Sequence, residues 1–389
     1  MSNTPLPNNI FRPTLQKKAG LGKRLLHWLG VIGTELHPVA HGCVTCRYYL
    51  LSLETRAFHG IQPSFPVDAI YTWVDGSDPV HKEKREHYHK QQAGIHDNAL
   101  EPARFRDNQE LRYSLRALEQ FAPWVRRIYI ITDRQQPAWL AKDHPRVRIV
   151  DHREFIPEAY LPTFNSHVIE AYLHNLPGLS EHYLYLNDDV FLARPCKKTD
   201  FFTTGGLPIA FVDWRGRRLF GYRYTKTPHA MSYFNTLRIL EEQGIKTDSK
   251  FITTHGPYAQ TKSNACDAFD FFSAHIESFA RNRFRTTDEL ALYSHALPLL
   301  LYRQKRLVPC DERYYYVQTA RRDRVAYYRA ILQSKRDHAP PLFFCINDVG
   351  DMHRKKQWRV DLRTMLECYY PNPSPFEASP PEPLAVDTP

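Results

Sequence analysis

No stretch of this 389-residue chain approaches the roughly 18 to 20 uninterrupted apolar residues of a membrane-spanning helix, so the sequence predicts no span. The nearest approach, LLHWLGVIG at 25–33, follows the basic run KKAGLGKR and is too short to cross. A basic segment leading into a short apolar one suits either a peripheral seat on an anionic membrane surface or a helix packed on a domain. The next residues, TELHPVAHGC, are poor in the small residues a signal cleavage site wants. The expectation is therefore a cytoplasmic protein, with a peripheral seat at the inner face of the plasma membrane and a helix packed on the domain as the two readings of this segment. A disulfide framework is missing too. The seven cysteines, Cys43, Cys46, Cys196, Cys266, Cys310, Cys345 and Cys368, are odd in number and scattered. HGCVTC at 41–46 has metal-like spacing, but no second CxxC or paired-histidine motif follows, and nothing is built on Cys43 and Cys46. There is also no tract of like charge and no internal repeat. Lys and Arg exceed Asp and Glu by 52 − 42 = 10, and the scatter of that excess suits anionic small molecules or an anionic polymer, with no nucleic acid as partner.

What is present is an apolar content of 42%, enough at this length to bury a sizeable core. VDAIYTWV at 67–74, VRRIYIITD at 125–133, RVRIVD at 146–151 and HYLYLNDD at 182–189 read as buried strands. Helical patterns lie between them. In RFRDNQELRYSLRALEQFAPW, Asp107 and Glu110 have capping-box spacing, and Leu111, Leu115, Leu118 and Ala122 share one face. Strands alternating with helices predict an α/β domain with a mainly parallel sheet, whose ligands sit beyond the carboxyl ends of the strands. The organisation expected is an N-terminal basic and amphipathic segment at 1–66, an α/β core at 67–195, a helical elaboration at 196–333, a strand-loop-helix at 334–370, and a disordered or extended tail at 371–389. Within 196–333 the clear amphipathic helices are HAMSYFNTLRILEEQG and DELALYSHALPLLLYRQKR, and a last helix is expected from Asp351 to Leu366. The tail has seven prolines in nineteen residues.

Three strands end in acids, at Asp75 and Asp78, at Asp133, and at Asp188 and Asp189. A carboxylate at the mouth of a buried strand either caps the next helix or binds a hard cation. If the strand persists through Asp188 and Asp189, their side chains point to opposite faces, so that one faces a cleft and the other braces the loop.

The blocks YTWVDGSDP, RFRDNQELRYSL, APWVRRIYIITD, LPTFNSHVIEAYLHNLPGLSEHYLYLNDDVFLARP, HGPYA, RFRTTDE and CIND occur in this order between about Val67 and Asp348. Together they resemble the Stealth family, which comprises bacterial sugar-1-phosphate transferases of capsule and exopolysaccharide synthesis and the animal enzyme that begins the mannose 6-phosphate tag. The resemblance implies a Rossmann-like, GT-A-type nucleotide-sugar-binding fold. It also implies transfer of a sugar 1-phosphate from a nucleotide-sugar donor, by default UDP-N-acetylhexosamine, to a hydroxyl of a glycan acceptor, with release of nucleoside monophosphate. The competing readings are a metal-dependent glycosyltransferase that releases nucleoside diphosphate, and a non-catalytic polysaccharide assembly protein.

Such chemistry needs charge neutralisation on the phosphates, in-line positioning and removal of a proton. By the resemblance, Asp189 and then Asp188 hold Mg2+ or Mn2+, with Asn347 and Asp348 completing the shell. Val349 stands where relatives often carry another asparagine, which leaves that loop's part less defined. His255 of THGPYA is the expected base, with His229 of TPHAM as its decoy. Arg285 is the expected phosphate-binding catalytic arginine, backed by Arg283, while Arg104, Arg106 and Asn108 lie at the start of the helix that Asp107 would cap. Tyr71 or Trp73 would stack on the base, Asp75 would accept from ribose or base, Gly76 would let the backbone turn closely, and Asp78 belongs to the same loop.

Overall fold

The computed structural model describes residues 62–213, 226–247, 251–350 and 357–378. The expectations for the basic-apolar segment at 25–33 and for Cys43 and Cys46 lie outside the described residues. The strands are Val67–Thr72 (β1), Ile128–Thr132 (β2), Val147–Asp151 (β3), His182–Asn187 (β4), Val190–Leu192 (β5), Ile209–Phe211 (β6), Tyr258–Thr261 (β7), Val308–Cys310 (β8), Tyr315–Gln318 (β9) and Phe343–Asn347 (β10). The helices are Pro79–His89 (α1), Glu110–Phe121 (α2), Ser166–Tyr172 (α3), Pro228–Glu242 (α4), Lys262–Ala280 (α5), Leu297–Arg303 (α6), Arg324–Arg336 (α7) and Gln357–Tyr369 (α8).

The main sheet has the order β3-β2-β1-β4-β7. β1 runs parallel to β2 and β4, β2 runs parallel to β3, and β7 is antiparallel to β4. The expected Rossmann-like, mainly parallel α/β fold is borne out. β2 is buried along its whole length and β1 nearly so, which is why both read as apolar runs and not as alternation. The exception in β1, Asp68, is fully buried and held by the Arg126 fork, with Nε at 2.9 Å and Nη2 at 2.7 Å, and by the Ser180 amide at 2.8 Å. Side-chain caps start four helices: Asp78 on α1, Asn165 on α3, Thr227 on α4 and Thr261 on α5.

Several expectations change. Glu110 is the first residue of α2, and no side chain caps that helix; Gln109 precedes it in the left-handed region at φ 69°. In place of a capping box, Asp107 accepts from the Gln109 amide at 2.7 Å, and Glu110 turns back onto the Asn108 amide at 2.6 Å. The pattern DELALYSHALPLLLYRQKR becomes a π-turn at Leu292–Ala296 followed by α6. Pro298 sits in the first turn of α6, where its missing N–H goes unmissed but would break a helix continuing from further upstream. The 196–333 segment is not only helical, since it supplies β7, the edge strand of the main sheet. The last helix begins at Gln357, with 351–356 outside the described residues.

The largest change concerns the proline-rich tail, which is packed as far as 378. Phe376 is fully buried, and the Glu377 carboxylate takes Arg112 Nε at 2.6 Å and Arg116 Nε at 2.7 Å. The backbone ties in through Ala141 N to Phe376 O and Ala378 N to Trp139 O, both 2.8 Å. Within this segment the chain turns at 374–377, where the Glu377 amide donates to the Ser374 carbonyl at 3.1 Å. Two buried guanidiniums on α2 that require a counter-charge hold it in place. Residues 379–389 lie outside the described set.

Candidate active site

The chain leaves β1 for β2 and β3 on one side and then returns to place β4 on the other, so the strand order reverses between β1 and β4. In open parallel sheets a crevice forms at that reversal, outside the carboxyl ends of the strands. A cavity of about 390 Å³ opens there. Thr72, Trp73 and Val74 line it from the end of β1, and Asn187, Asp188 and Asp189 from the end of β4.

β4 stops at Asn187, and Asp188 and Asp189 form the turn into β5, which belongs to the second sheet, β5-β10-β9. This change of sheet separates the two carboxylates. Asp189 faces β10: its carbonyl accepts from the Ile346 amide at 3.0 Å, and its Oδ2 accepts from Asn347 Nδ2 at 3.1 Å and from the Cys345 thiol at 3.4 Å. Its Oδ1 is buried without a hydrogen bond and lies 3.4 Å from His255 Nε2. Asp188 faces α2. Burial raises its pKa well above the usual carboxylate value, and the neighbouring Glu110, Asp189 and Asp107 raise it further. Glu110 is itself pushed up to about 8, by burial and then by Asp107, and Asp107 to about 6, by burial against the lowering hydrogen bond from the Gln109 amide.

His255 precedes β7 in a turn that presses on β10. A Cβ on Gly256 would lie 2.3 Å from the Phe343 ring, so only glycine allows the backbone to bring His255 to Asp189. Asn187 Nδ2 is 3.2 Å from His255 Nε2, and Asn187 Oδ1 accepts from the Tyr185 hydroxyl at 3.0 Å. That hydroxyl is also 3.3 Å from Glu170 Oε1. Glu170 lines the cavity, and burial pushes its pKa up to about 7 against the lowering effect of Arg285.

Arg104 and Arg285 line another part of the wall. Burial, and then Arg285, bring Arg104 down to about 9. Burial lowers Arg285, which donates to Ser166 Oγ. Arg106 also lines the cavity and is paired with Asp348, Nη1 to Oδ2 at 2.6 Å, while Asp348 Oδ1 accepts from Thr319 Oγ1 at 2.7 Å. Both oxygens of Asp348 are thus engaged by protein, and it anchors Arg106.

Of the residues singled out in the sequence, the fold brings Trp73, Arg104, Arg106, Asp188, Asp189, His255, Arg285, Asn347 and Asp348 to one cavity. Others are placed elsewhere. Tyr71 is fully buried with its hydroxyl 3.1 Å from Ser114 Oγ, so it cannot stack on a base. Asp75 accepts from the Ser77 amide at 2.8 Å, and Asp78 caps α1. Gly76 approaches the chain's own Phe105, whose carbonyl oxygen would be 2.4 Å from an added Cβ. Arg283 reaches toward the Ala159 carbonyl, and the Asn108 amide group donates to Glu110 at 2.7 Å. The decoy His229 also lines the cavity, its ring tilted 40° to that of His295 with centroids 4.6 Å apart. Sequence reasoning missed Glu170 and Glu110. A single glutamate in VIEAYL, or one read as a cap, carries no spacing signal of its own.

Residues 65–93, 104–209 and 331–384 match conserved regions 1, 2 and 4 of Stealth proteins. A capsular polysaccharide phosphotransferase of Haemophilus influenzae is 37% identical over 306 residues, 78% of this chain and 84% of that protein. The chain belongs to the Stealth family. Another Stealth relative, a capsular polysaccharide phosphotransferase of Neisseria meningitidis, is 35% identical over 308 residues, 79% and 84% of the two chains. An exopolysaccharide phosphotransferase of Streptomyces coelicolor is 42% identical over 317 residues; the match takes in 80% of this chain but about half, 52%, of that longer protein. The expectation that this Stealth chain is a transferase is borne out by these relatives. Among solved structures, the galactosyltransferase LgtC with donor and acceptor sugar analogues is similar at a TM-score of 0.40 and 13% identity, over 81% of this chain and 98% of that one. The fold assignment rests on the sheet itself.

For a metal, Asp189, His255 and Cys345 each offer a donor atom, all within 4.8 Å of one another. A hard divalent cation draws instead on oxygens. The unbonded Asp189 Oδ1 and the mutually repelling acids around Asp188 fit such an ion. Among the described residues no helix is long and apolar enough to cross a membrane.

Proposed function

We propose that this Stealth protein transfers a sugar 1-phosphate, N-acetylhexosamine 1-phosphate by default, from a nucleotide-diphosphate sugar to a hydroxyl of a glycan acceptor. The product is a phosphodiester in a capsular or extracellular polysaccharide, and nucleoside monophosphate leaves. The observation that carries this reading is the pairing of His255 with Asp189 in the cavity that also holds Arg104 and Arg285. The acceptor hydroxyl gives its proton to neutral His255 Nε2 while its oxygen attacks the sugar-bearing phosphorus. The bond from that phosphorus to the bridging oxygen breaks, and the nucleoside monophosphate carries the electron pair away. The imidazolium that forms faces Asp189 Oδ1 at 3.4 Å. Arg285 and Arg104 offset the charge on the phosphoryl oxygens, a task for which the planar guanidinium suits better than lysine. Asp189 and Asp188 would hold Mg2+ or Mn2+, which would supply further charge neutralisation at the diphosphate. As part of the same proposal the protein sits at the inner face of the plasma membrane, a reading supported by the basic run that precedes the apolar stretch at 25–33 in the sequence.

The test is incubation with magnesium, a glycan acceptor and a panel of nucleotide sugars, identifying the nucleotide released. Monophosphate is the expected product; diphosphate would show transfer of the sugar alone and overturn the reading.

A further inference from the structure

Cys345 has no part in the reaction above, yet its thiol lies directly behind Asp189 on β10 and is fully buried. Tetrahedral zinc, with ligand bonds near 2.0 to 2.3 Å, holds its donor atoms about 3.3 to 3.8 Å apart. Two separations from the Asp189 carboxylate have that length, one from each of its oxygens. Asp189 Oδ1 is 3.4 Å from His255 Nε2, and Asp189 Oδ2 is 3.4 Å from Cys345 Sγ. All three residues place a donor within 4.8 Å of the others, so an ion needs only small side-chain rotations to meet them. Asp189 and His255 line the cavity, which is the route of entry.

Donor chemistry decides which metal this set takes. A thiolate, an imidazole and a carboxylate are the ligands of zinc and its softer neighbours, whereas magnesium binds oxygens and retains water. Three protein ligands leave the fourth position to water or a phosphate oxygen, as in open zinc sites.

We propose that Asp189, His255 and Cys345 form a zinc-binding site through which zinc inhibits the enzyme. On binding, the Cys345 thiol releases its proton to solvent as the sulfur–zinc bond forms, and neither partner changes oxidation state. The Nε2 lone pair of His255 is then held by zinc and is no longer open to the acceptor's proton. Asp189 is shared with the hard cation of the transfer reaction, so zinc and magnesium compete. The inhibition, though not the binding, rests on the phosphotransferase reading.

The experiment uses the full-length protein carrying Cys43→Ser and Cys46→Ser, so that the CxxC pair contributes nothing. Titration with Co2+ as the spectroscopic substitute for zinc should give a thiolate-to-cobalt charge-transfer band in the near ultraviolet that disappears when Cys345→Ser is added. Cys345→Ala serves as a second variant, and circular dichroism checks that each is folded. No band in the parent, or a band that survives in a folded Cys345 variant, overturns the site. In a companion assay at saturating magnesium, the zinc concentration that halves nucleotide release should rise about tenfold or more in the Cys345 variant. Equal sensitivity overturns the inhibition. The cobalt band needs no turnover, so a protein that shows it yet releases nucleoside diphosphate refutes the transfer reaction and leaves the zinc site standing.

Discussion

At the scale of single residues, adjacency in the chain says little about shared function. Asp188 and Asp189 are neighbours, yet one joins Glu110 and Asp107 by α2 and the other joins His255 and Asn347 by β10. The alternation expected along a strand points to the same separation for a different reason. Here the strand has ended, and a turn between two sheets divides the acids. His255 and His229 line one cavity, but His255 faces Asp189, while the His229 ring packs at a tilt against His295. His255→Ala should therefore lower kcat by about 10²- to 10⁴-fold, the usual worth of a general base, with His229→Ala losing far less. Steady-state rates of the two variants decide this, and equal mild losses would remove His255 as the base. Asp189→Ala should abolish divalent-dependent turnover with the far-UV circular dichroism unchanged.

At the scale of elements, α2 connects the cavity to the C-terminal strap. Its first residue, Glu110, joins the acidic wall of the cavity, while Arg112 and Arg116 grip Glu377 of the C-terminal strap. The Arg112–Glu377 pair is almost free of solvent, with side chains 1% and 2% exposed. Removing one partner of such a pair strands a buried charge, so Glu377→Gln should cost about 3 to 5 kcal/mol in urea unfolding. Burial favours protonation of Glu377, but hydrogen bonds from Arg116, the Ser374 amide and Arg112 outweigh it and hold the pKa below the usual 4.5. The strap's contribution is therefore complete above pH 4.5 and fades as pH falls through the folded value. Truncation after residue 370 should destabilise the protein similarly, whereas a disordered tail would be removable at no cost. The strap was illegible in the sequence because proline content describes local stiffness, whereas its partners lie some 260 residues away. The strands were legible because burial on both faces leaves an apolar run that needs no knowledge of the partner.

At the scale of the whole molecule, a second buried acid–base cluster joins distant parts of the chain. Glu289 is fully buried, accepting from Asn165 Nδ2 at 2.7 Å and the Thr286 amide at 2.6 Å, with His167 Nδ1 at 2.7 Å. Burial pushes its pKa from 4.5 up to about 8, so its contribution to stability is present below pH 4.5 and is lost as pH rises through 8. His167 is shifted the other way, by burial and then by Arg285, and acts as pH falls below 6.5. Between pH 6.5 and 8, Glu289→Gln should therefore flatten the pH slope of the unfolding free energy, by at most about 1.4 kcal/mol per pH unit. Urea titrations across that window, with the native protein alongside, measure it. Parallel slopes would mean that Glu289 stays ionised in the fold.

Local pattern alone determined much here: the four parallel strands, four of the eight described helices, the family, and nine of the residues that meet in the cavity. Each is written in short-range periodicity or in ordered blocks of sequence. Only the tertiary structure decided which way Asp188 and Asp189 face, that Tyr71 is core, that Asp348 is committed to Arg106, and that Cys345 stands behind Asp189. Those outcomes depend on which strand lies beside which and where burial removes water. Both are set by contacts between residues far apart in the chain, for which local spacing carries no signal.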